Sequence, residues 1–478
     1  MRWTLSTVVV WLMCAAVNTQ AHADASERIE AVLRDAYLKN IDVGVHVVHL
    51  TPGDAKIIYA KNADRPLIPA SNLKLVTTAA ALEGLGGDFQ FRTRLLRRDD
   101  TFALVGDGDP SLGDAELARL NGHNIPSKHA FDAWADALRK KSSAPALKLV
   151  YDDSIFDEQF THPTWPADQI HLRYVAGVGG LNFNTNCVDF YLKPTATSNA
   201  YEVDPQTHYV RIKNSYTLGS KNAVWLSRAA GSNEIELRGQ TSAANGEPIS
   251  VTVDNPPAYA ATVLAESLEK SGQLPAGASR SVARDVTVRA QIEQWKLLAV
   301  HETPISDVLT RANRDSMNLY AEALCKRLGA ATSNASGSCK NGTVAVGAYF
   351  NSIGVDSAEF TLDDGCGLSR NNRISPAAIT AVLAHEFNGP NREAYLKSLA
   401  VGGGASGTLK DRFTTAPLRG RVFGKSGFIN SVSTLSGYVQ SKDDQWYAFS
   451  IMFNGIAKGT NSNAKKLQER IVLAISDR

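Results

Sequence analysis

Residues 69–82 combine a short polar turn with a helix that is too apolar to be solvated. Pro69 and Ala70 end an extended segment, Ser71 opens the helix, and the run from Leu75 reads Leu-Val-Thr-Thr-Ala-Ala-Ala-Leu. A helix that is apolar on all sides is stable only when other elements cover it. The fold is therefore predicted to be built around this helix, with Ser71 at its N-terminus.

Ser71 and Lys74 form the first chemical candidate. Backbone N–H groups at a helix N-terminus lack partners and the helix dipole is positive there, and residues three apart share a face. A serine next to an amine that burial can keep neutral is an activated nucleophile. The same spacing recurs at residues 267–270 and 462–465. The former lies in a charged amphipathic helix and the latter in the polar start of the last helix, where a serine is expected to cap.

The composition and the N-terminus indicate an exported globular protein. The chain has 478 residues and is 44% hydrophobic, so it is long and apolar enough for two or three packed domains. Its formal net charge is +2, and the sequence shows no basic patch that would bind nucleic acid. Met1-Arg2, the apolar stretch from Val8 to Val17 and Ala21-His22-Ala23 have the order of a secretory signal, and the apolar stretch is too short for a permanent membrane span. Residues 1–23 are the predicted signal peptide, and the mature protein is predicted to be soluble and periplasmic.

Four cysteines follow this signal: Cys187, Cys325, Cys339 and Cys366. An even number in an oxidising compartment permits two disulfides in three connectivities, or buried thiols. Cys325 and Cys339 flank a Gly/Ser/Asn-rich connection and are the favoured pair. Because no Cys/His spacing is typical of zinc, no metal is predicted.

Secondary-structure signals place strands at both ends of the chain. Gly44–Leu50 and Lys56–Ala60 alternate in polarity around a Thr-Pro-Gly-Asp turn, which predicts an antiparallel hairpin. Near the C-terminus we expect strands at 422–423, 434–439 and 446–453 and an amphipathic helix at 463–475. Between them, residues 281–290 are expected to be extended. From Trp295 onward a helical texture is expected, with helices at 305–312, 318–328, 344–353 and 377–386. The middle third is rich in short strands and carries no nucleophile-like arrangement.

Ser316-Met317-Asn318 lies at a predicted loop-to-helix junction. A hydroxyl and an amide two residues apart at a helix start can both face a cleft, where one passes protons and the other holds a substrate amide. On its own, the tripeptide is better explained as a helix N-cap. Ser369-Arg370-Asn371 shows that the pattern recurs in the chain.

Lys425-Ser426-Gly427 lies within a predicted strand. Its strand flanks put a cation and a hydroxyl on one edge, and the glycine lets another segment approach closely. A second Lys-Ser-Gly, at residues 270–272, ends the charged helix mentioned above. The tripeptide alone therefore does not show which of the two copies, 270–272 or 425–427, is functional.

The order Ser-x-x-Lys, Ser-x-Asn, Lys-Ser/Thr-Gly resembles the signature of penicillin-binding proteins and serine β-lactamases. The long insertion between the first two motifs is similar to that of class C low-molecular-mass penicillin-binding proteins, the DacB-like D-alanyl-D-alanine carboxypeptidase/endopeptidases. The resemblance also covers Gly108–Leu112, Tyr151–Phe156, Leu181–Asn186, Gly365–Arg370 and Gly407–Leu409. Ser426 stands where threonine is usual, and Cys366 stands where serine is frequent.

This resemblance implies an α+β, transpeptidase-like fold, in which an antiparallel sheet is flanked by helices and interrupted by a large β-rich insertion. The implied division is a serine peptidase domain at residues 24–92 and 294–478, an inserted domain II at residues 93–189 and 279–293, and an inserted domain III at residues 190–278.

The resemblance also implies a substrate, namely the D-Ala-D-Ala end or the D-alanyl-diaminopimelate cross-link of peptidoglycan peptides. Ser71 would be the nucleophile and Lys74 its base, while Ser316 and Lys425 would relay the proton to the leaving amine. Asn318 would bond the substrate amide. Water would then resolve the acyl-enzyme, and β-lactams would trap it covalently.

The third motif has a second implied role in binding. Lys425 and Ser426 would hold the terminal carboxylate of the substrate. The backbone N–H groups of Ser71 and Phe428 would form the oxyanion hole, and Gly427 would belong to the substrate-binding segment.

Trp165-Pro166-Ala167-Asp168 and Gly367-Leu368-Ser369-Arg370 resemble the motifs with which some relatives clamp the diaminopimelate side chain. Asp168, Arg370 and Tyr174 are therefore candidates for side-chain recognition, and the alternative is a solvated surface Asp and Arg. No nucleic acid and no cofactor is expected. A homodimer, and a peripheral association with the membrane surface or the cell wall, stay open.

Two other functions stay open as well. A serine β-lactamase would share the nucleophile, although no Glu-bearing deacylation loop stands out and the insertion exceeds what a β-lactamase needs. A catalytically silent peptidoglycan-binding protein would have no chemical need to keep all five polar residues of the three motifs.

Overall fold

The computed structural model describes residues 25–122, 129–141 and 144–477. The predicted signal peptide lies outside these residues. The chain divides into two compact units: unit 1 holds the described residues of Met1–Glu83, Ala312–Ser316 and Val346–Arg478, and unit 2 holds those of Gly84–Arg311 and Met317–Ala345. Within the described ranges, no helix has the length and apolar character that crossing a bilayer requires.

The elements follow one another along the chain with these bounds. The α-helices of the described residues are α1 (25–33), α2 (Leu73–Leu85), α3 (Ala115–Leu120), α4 (His129–Lys140), α5 (Pro256–Lys270), α6 (Thr287–Ala290), α7 (Ile305–Asn313), α8 (Asn318–Thr332), α9 (Cys339–Ser352), α10 (Pro376–Asn388), α11 (Arg392–Ser398) and α12 (Asn461–Ser476). The strands are β1 (Asp42–Thr51), β2 (Asp54–Lys61), β3 (Gln90–Arg98), β4 (Thr101–Gly106), β5 (Lys148–Asp152), β6 (Cys187–Leu192), β7 (Tyr201–Asp204), β8 (Arg211–Thr217), β9 (Ala223–Ser227), β10 (Glu234–Gln240), β11 (Ile249–Thr252), β12 (Ala283–Arg284), β13 (Lys296–Pro304), β14 (Phe360–Thr361), β15 (Arg373–Ile374), β16 (Ala400–Val401), β17 (Val422–Ile429), β18 (Val432–Gln440) and β19 (Trp446–Asn454).

Unit 1 is organised on a six-stranded antiparallel sheet with the order β16-β17-β18-β19-β1-β2. Val45 and Val47 of β1 pack in one apolar core with α1 and α12. His46, which points to the opposite face because strand side chains alternate, contacts Thr380 of α10 at 2.5 Å. The sheet is therefore covered by helices on both faces, which confirms the predicted α+β class.

The α2 helix is buried as its composition predicts. Every residue from Leu73 to Leu82 is buried, including Lys74. The predicted hairpin β1–β2 and the C-terminal strands are also confirmed, although β17 extends to Ile429 and so contains the whole Lys-Ser-Gly motif.

The described residues of unit 2 form three sheets. A five-stranded sheet has the order β12-β5-β4-β3-β13, and two three-stranded sheets have the orders β11-β6-β7 and β8-β10-β9. Side chains from all three sheets and from α4 and α5 form one apolar core, which includes Phe102, Phe183, Leu237 and Leu264. The division of this region into two inserted domains stays a prediction.

Two expectations for this region are wrong. Residues 281–290 contain only the short strand β12, because the Asp285 carboxylate accepts bonds from the Thr287 N–H at 3.0 Å and hydroxyl at 2.7 Å and turns the chain into α6. The four helices expected after Trp295 are confirmed as α7 to α10, but the helical texture does not begin at Trp295, because the strand β13 comes first. A bulge between Leu297 and Ala299 interrupts the alternation that would have indicated it.

The favoured disulfide between Cys325 and Cys339 is also wrong, since the structure holds Cys187, Cys325, Cys339 and Cys366 as buried thiols. The Cys339 thiol points to the Glu322 carboxylate, 3.8 Å away. The Cys325 sulfur lies against Gly342, where a Cβ would come within 2.7 Å of it.

Candidate active site

Ser71 and Lys74 meet as the sequence predicts. A 3-10 turn, Ala70–Asn72, leads into α2, so Ser71 lies in the turn instead of in the helix itself. The Lys74 amine lies 3.1 Å from the Ser71 hydroxyl oxygen and donates to the Cys366 carbonyl at 2.6 Å. The Lys74 side chain is 0% exposed, whereas Ser71 is partly exposed. The turn thus presents an accessible hydroxyl whose nearest amine is shielded from water.

The loop at residues 364–370 holds this turn in place. The Thr77 hydroxyl donates to the Gly365 carbonyl at 2.7 Å, one residue before the carbonyl that binds Lys74. Gly367 has φ +83°, and a Cβ there would collide with the Ala70 carbonyl oxygen. Only glycine combines that backbone conformation with so close an approach. The Gly-Cys-Gly segment therefore fixes both the lysine and the turn that carries the serine.

Ser316 and Lys425 form a second hydroxyl–amine pair in unit 1. The Lys425 amine donates to the Ser316 hydroxyl at 2.7 Å and to the Ser426 carbonyl at 2.7 Å. Ser316 has φ +62°, a left-handed conformation that costs a non-glycine residue free energy and is often found at functional sites. Lys425 is 0% exposed. Burial, followed by the positive charge of Lys74, holds the pKa of Lys425 well below its usual range, while the Asp315 carboxylate opposes this shift.

Strand β17 approaches the Ser71 turn closely. A Cβ at Gly427 would lie 3.0 Å from the Ser71 backbone nitrogen and would collide with the Thr434 hydroxyl, so the glycine permits the approach that its motif predicts. Its neighbours Ser426 and Phe428 are partly and largely exposed. The carbonyl of Pro69 accepts from the Thr434 hydroxyl at 2.9 Å, which ties the turn to β18.

Asn72 links the turn to the same two strands. With its amide nitrogen facing β17, it donates to the Lys425 carbonyl at 2.8 Å and accepts from the Ser436 N–H at 3.1 Å. Asn72 is 0% exposed. Asn72, the residue after Ser71, therefore fixes the spacing between Ser71 and Lys425.

Asn318 and two recognition candidates lie in unit 2. Asn318 is the first residue of α8, and its side-chain amide donates to the Tyr174 carbonyl at 2.7 Å. Tyr174 is 42% exposed, and its hydroxyl donates to Gln169. Burial, with a smaller contribution from the negative charge of Asp168, raises the pKa of Tyr174. Unit 2 thus brings Asn318, Tyr174 and the exposed Asp168 into one neighbourhood.

Arg370 belongs to unit 1 and is exposed. Its guanidinium donates to the Asn430 carbonyl at 2.6 Å, just beyond the end of β17. The described residues of unit 1 also include Glu83, His385 and Glu386, whose potential metal-ligand atoms lie within 4.8 Å of one another. Glu83 is near the C-terminal end of α2, about 18 Å along the helix from Ser71 at ~1.5 Å per residue, so this cluster has no part in the Ser71 chemistry.

Some functional groups gave no clear sequence signal. The Cys366 carbonyl is a backbone atom and has no residue-type signature, although the resemblance covered its segment. Asn72 stands inside the first motif, but only the folded chain shows that its side chain bonds to β17 and β18.

Comparisons with known proteins show the family of this chain. The model of the D-Ala-D-Ala carboxypeptidase 3 (S13) family matches residues 25–475. The D-alanyl-D-alanine carboxypeptidase of Actinomadura sp. (strain R39) is 31% identical over 94% of this chain and 86% of that protein. The D-alanyl-D-alanine carboxypeptidase DacB of Haemophilus influenzae is 25% identical over 84% of each chain.

Solved structures agree on the fold. The crystal structure of penicillin binding protein 4 (dacB) from Haemophilus influenzae superposes with a TM-score of 0.75 at 21% identity, over 94% of this chain and 99% of that one. The structure of the same protein complexed with a β-lactam gives a TM-score of 0.70. The family match spans nearly all described residues, so this chain belongs to the D-Ala-D-Ala carboxypeptidase 3 (S13) family of serine-type D-Ala-D-Ala carboxypeptidases.

Proposed function

We propose that this chain hydrolyses the D-Ala-D-Ala end, and the D-alanyl-diaminopimelate cross-link, of peptidoglycan peptides through an acyl-enzyme on Ser71. The observation that carries the proposal is the pair of hydroxyl–amine contacts in unit 1, Lys74 with Ser71 at 3.1 Å and Lys425 with Ser316 at 2.7 Å. Both lysine side chains are fully buried, and a positive charge on Lys74, once it has taken up a proton, lowers the pKa of Lys425. The two pairs therefore act on the same substrate amide bond, one on its carbonyl carbon and the other on its leaving amine.

Acylation begins at Ser71. A neutral Lys74 amine can donate an N–H to the Cys366 carbonyl and use its lone pair to accept the Ser71 proton. The Ser71 oxygen attacks the carbonyl carbon of the penultimate D-Ala, and the C–N bond to the last residue breaks. The backbone N–H groups of Ser71 and Phe428 stabilise the negative charge that develops on the carbonyl oxygen, since β17 approaches the turn at Gly427.

The leaving amine takes its proton from the Ser316 hydroxyl, which Lys425 resupplies across their 2.7 Å contact. The Lys425 ammonium and the Ser426 hydroxyl hold the terminal carboxylate, and Asn318 bonds the substrate amide. Water then hydrolyses the ester, Ser71 regains its proton, and the peptide leaves with a free D-Ala carboxylate. A β-lactam acylates Ser71 by the same attack and keeps its amine tethered.

Two further assignments belong to this proposal. Asp168 and Tyr174 of unit 2 and Arg370 of unit 1, all of them exposed, are the candidates for recognising the diaminopimelate side chain, since the segments 165–168 and 367–370 resemble those with which some relatives bind it. The protein works in the periplasm, where peptidoglycan is accessible, after export by the N-terminal signal. The family match over residues 25–475 favours this function over a β-lactamase or a silent binding protein.

Covalent labelling with a fluorescent penicillin, followed by D-Ala release from a D-Ala-D-Ala-terminated peptide, tests the proposal. We expect long-lived labelling and D-Ala release from the wild type, and neither from Ser71→Ala. Ser462→Ala, which changes the serine of another Ser-x-x-Lys, is the matched control and should behave as wild type. Rapid loss of label without D-Ala release would indicate a β-lactamase, and absence of any label in the wild type would indicate a silent protein.

A further inference from the structure

The three-stranded sheet β8-β10-β9 of unit 2 has one face in the apolar core and the other face in solvent. Side chains alternate along a strand, and Leu226 of β9 and Leu237 of β10 pack in the core. The alternate side chains of all three strands point the other way and are exposed or half-buried. These outward side chains, which include Lys213, Trp225 and Arg238, form the β10 face.

Trp225 lies at the middle of β9 on the β10 face and is 54% exposed. The other tryptophans of the described residues, Trp134, Trp165, Trp295 and Trp446, are buried or half-buried. An aromatic ring that stays in water forgoes the free energy that its burial would contribute. No other large apolar side chain of β8, β9 or β10, strands that the structure describes in full, is exposed. Trp225 is therefore a single aromatic ring on a polar surface.

The polar groups around Trp225 lie in register across the sheet. Arg238 of β10 is the cross-strand neighbour of Trp225, and Ser215 of β8 is the neighbour of Arg238 on its other side. Two residues along β10, the Glu236 carboxylate accepts from the Arg238 guanidinium and lies 3.7 Å from the Lys213 amine. Since adjacent strands are about 4.8 Å apart and alternate residues about 7 Å apart, this patch extends about 10 Å across the strands, the length of a disaccharide.

One aromatic ring among hydrogen-bonding side chains suits a sugar better than a protein or a lipid. A pyranose ring presents a face of C–H groups, which pack on the electron-rich face of an indole. Its hydroxyl and acetamido groups need donors and acceptors beside that ring, and Arg238, Ser215 and Glu236 supply them. A protein partner would need an apolar centre of several side chains, and a lipid surface would need several apolar residues to insert. The β10 face, all of it within the described ranges, meets neither condition.

We infer that the β10 face binds the glycan strand of peptidoglycan, with one sugar ring stacked on Trp225. The inference rests on the proposed function, in which the substrate is a peptide attached to that strand. The cations of the face outnumber its acids, and the resulting positive charge complements the carboxylates of the attached peptides. These charged side chains are Arg211, Lys213, Arg238, Glu234 and Glu236. Binding of the polymer at unit 2 keeps its peptides near the protein and so raises their effective concentration.

Binding to peptide-free glycan strands tests this inference. Strands whose sugar–peptide amides have been cleaved enzymatically carry no D-alanyl group for the serine site, so their dissociation constant, measured by isothermal titration calorimetry, reports the β10 face. Trp225→Ala should weaken binding about tenfold, the effect of losing one aromatic contact. Trp225→Tyr keeps an aromatic ring and should bind nearly as well as the wild type. Leu297→Ala changes a side chain of similar exposure, 52%, on another strand of unit 2 and should bind as the wild type does.

A soluble D-Ala-D-Ala-terminated peptide separates this inference from the proposed function. Trp225→Ala should release D-Ala from that peptide with the wild-type kcat/KM and should digest intact peptidoglycan more slowly. Trp225→Thr, which suits a strand, replaces Trp225→Ala if the latter fails to fold.

Wild-type affinity of a folded Trp225→Ala or Trp225→Thr variant for the glycan strands, or no binding of these strands by the wild type, overturns the inference and leaves the Ser71 proposal intact. A Trp225 dependence seen only with vesicles of phosphatidylethanolamine and phosphatidylglycerol assigns the face to a membrane and also overturns it. A wild type that binds the glycan strands but releases no D-Ala overturns the Ser71 proposal alone.

Discussion

At the scale of single residues, the site depends on buried lysines that the fold shields from water. Lys74 and Lys425 are both 0% exposed, although lysine is rarely found fully buried. Each has at least one hydroxyl and one carbonyl partner within 3.1 Å. Burial disfavours the charged form of an amine, so Lys74 can serve as the neutral base that accepts the Ser71 proton. In Lys425, the same effect makes the ammonium a ready proton donor to Ser316.

The first prediction concerns Lys74. Lys74→Met keeps most of the side-chain volume and removes the amine, so acylation of Ser71 by penicillin should fall by about 10²–10⁴-fold, the usual contribution of a general base. The melting temperature should be equal or higher, because an amine in the interior is replaced by an apolar group. Stopped-flow acylation and thermal melting check both expectations. Acylation at the wild-type rate would remove Lys74 from its role as base.

The sequence predicted the residues of the site better than their surroundings. Three short motifs follow one another in a recognisable order although long segments separate them. The fold brings four of their residues together in unit 1, namely Ser71, Lys74, Ser316 and Lys425. Asn72 and the Cys366 carbonyl contact the site lysines from positions that only packing determines. The spacing of residues in the sequence predicts which side chains are neighbours along one helix or strand. It does not predict contacts between groups that come from different elements.

At the scale of elements, the catalytic turn is held by glycines on two sides. Gly427 of β17 and Gly367 of the 364–370 loop both approach the Ala70–Asn72 turn more closely than a Cβ would permit. The hydrophobic pattern of the sequence predicted β17 and β18, the strands that lie beside the turn. It missed β13, whose bulge hides the alternation, and the β12 region, where the Asp285 side chain turns the chain.

The second prediction concerns Gly367, for which the chain offers a close control. Gly367→Ala and Gly53→Ala both place alanine at a positive φ, +83° and +76°, but only Gly367 has a backbone atom in the way. Gly53→Ala should cost about 1 kcal/mol of unfolding free energy, the usual penalty for alanine in the left-handed region, with no change in acylation. Gly367→Ala should cost more and slow acylation at least tenfold, since the Ser71 turn must move. Urea unfolding and penicillin labelling measure both, and equal behaviour of the two variants would contradict this account.

At the scale of the whole molecule, unit 1 buries ionisable groups outside the site as well. Glu386 of α10 is 2% exposed and accepts a bond from the Tyr349 hydroxyl at 2.9 Å. Burial, aided by the negative charge of Glu83, raises the pKa of Glu386 to about 7 from its ordinary 4.5. The folded chain therefore holds a proton that the unfolded chain has already released between those two values, and stability falls as pH rises through this window.

The third prediction is the sign of that effect. Glu386→Gln removes the titration but keeps an oxygen for Tyr349, so at pH 8 the variant should be more stable than the wild type, by at most about 3 kcal/mol for a shift of this size. Near pH 4.5 the two should be nearly equal. Denaturant unfolding at both pH values measures the difference. Glu393→Gln, which changes an exposed acid of α11, should show no such pH dependence, and a gain for Glu386→Gln that is the same at both pH values would refute the assignment.

The strand order of unit 1 affects when activity can first arise. β1, made early in synthesis, pairs with β19, and the Ile68 N–H donates to the Asn454 side chain, 386 positions away along the chain. Pairing between such remote segments must wait until both have been made. A nascent chain carries its nucleophilic serine long before it carries Lys425 and the last strands of the sheet. The enzyme is consequently inactive during translation. Hydrolysis begins only after β17, β18 and β19 have joined β1 in the six-stranded sheet.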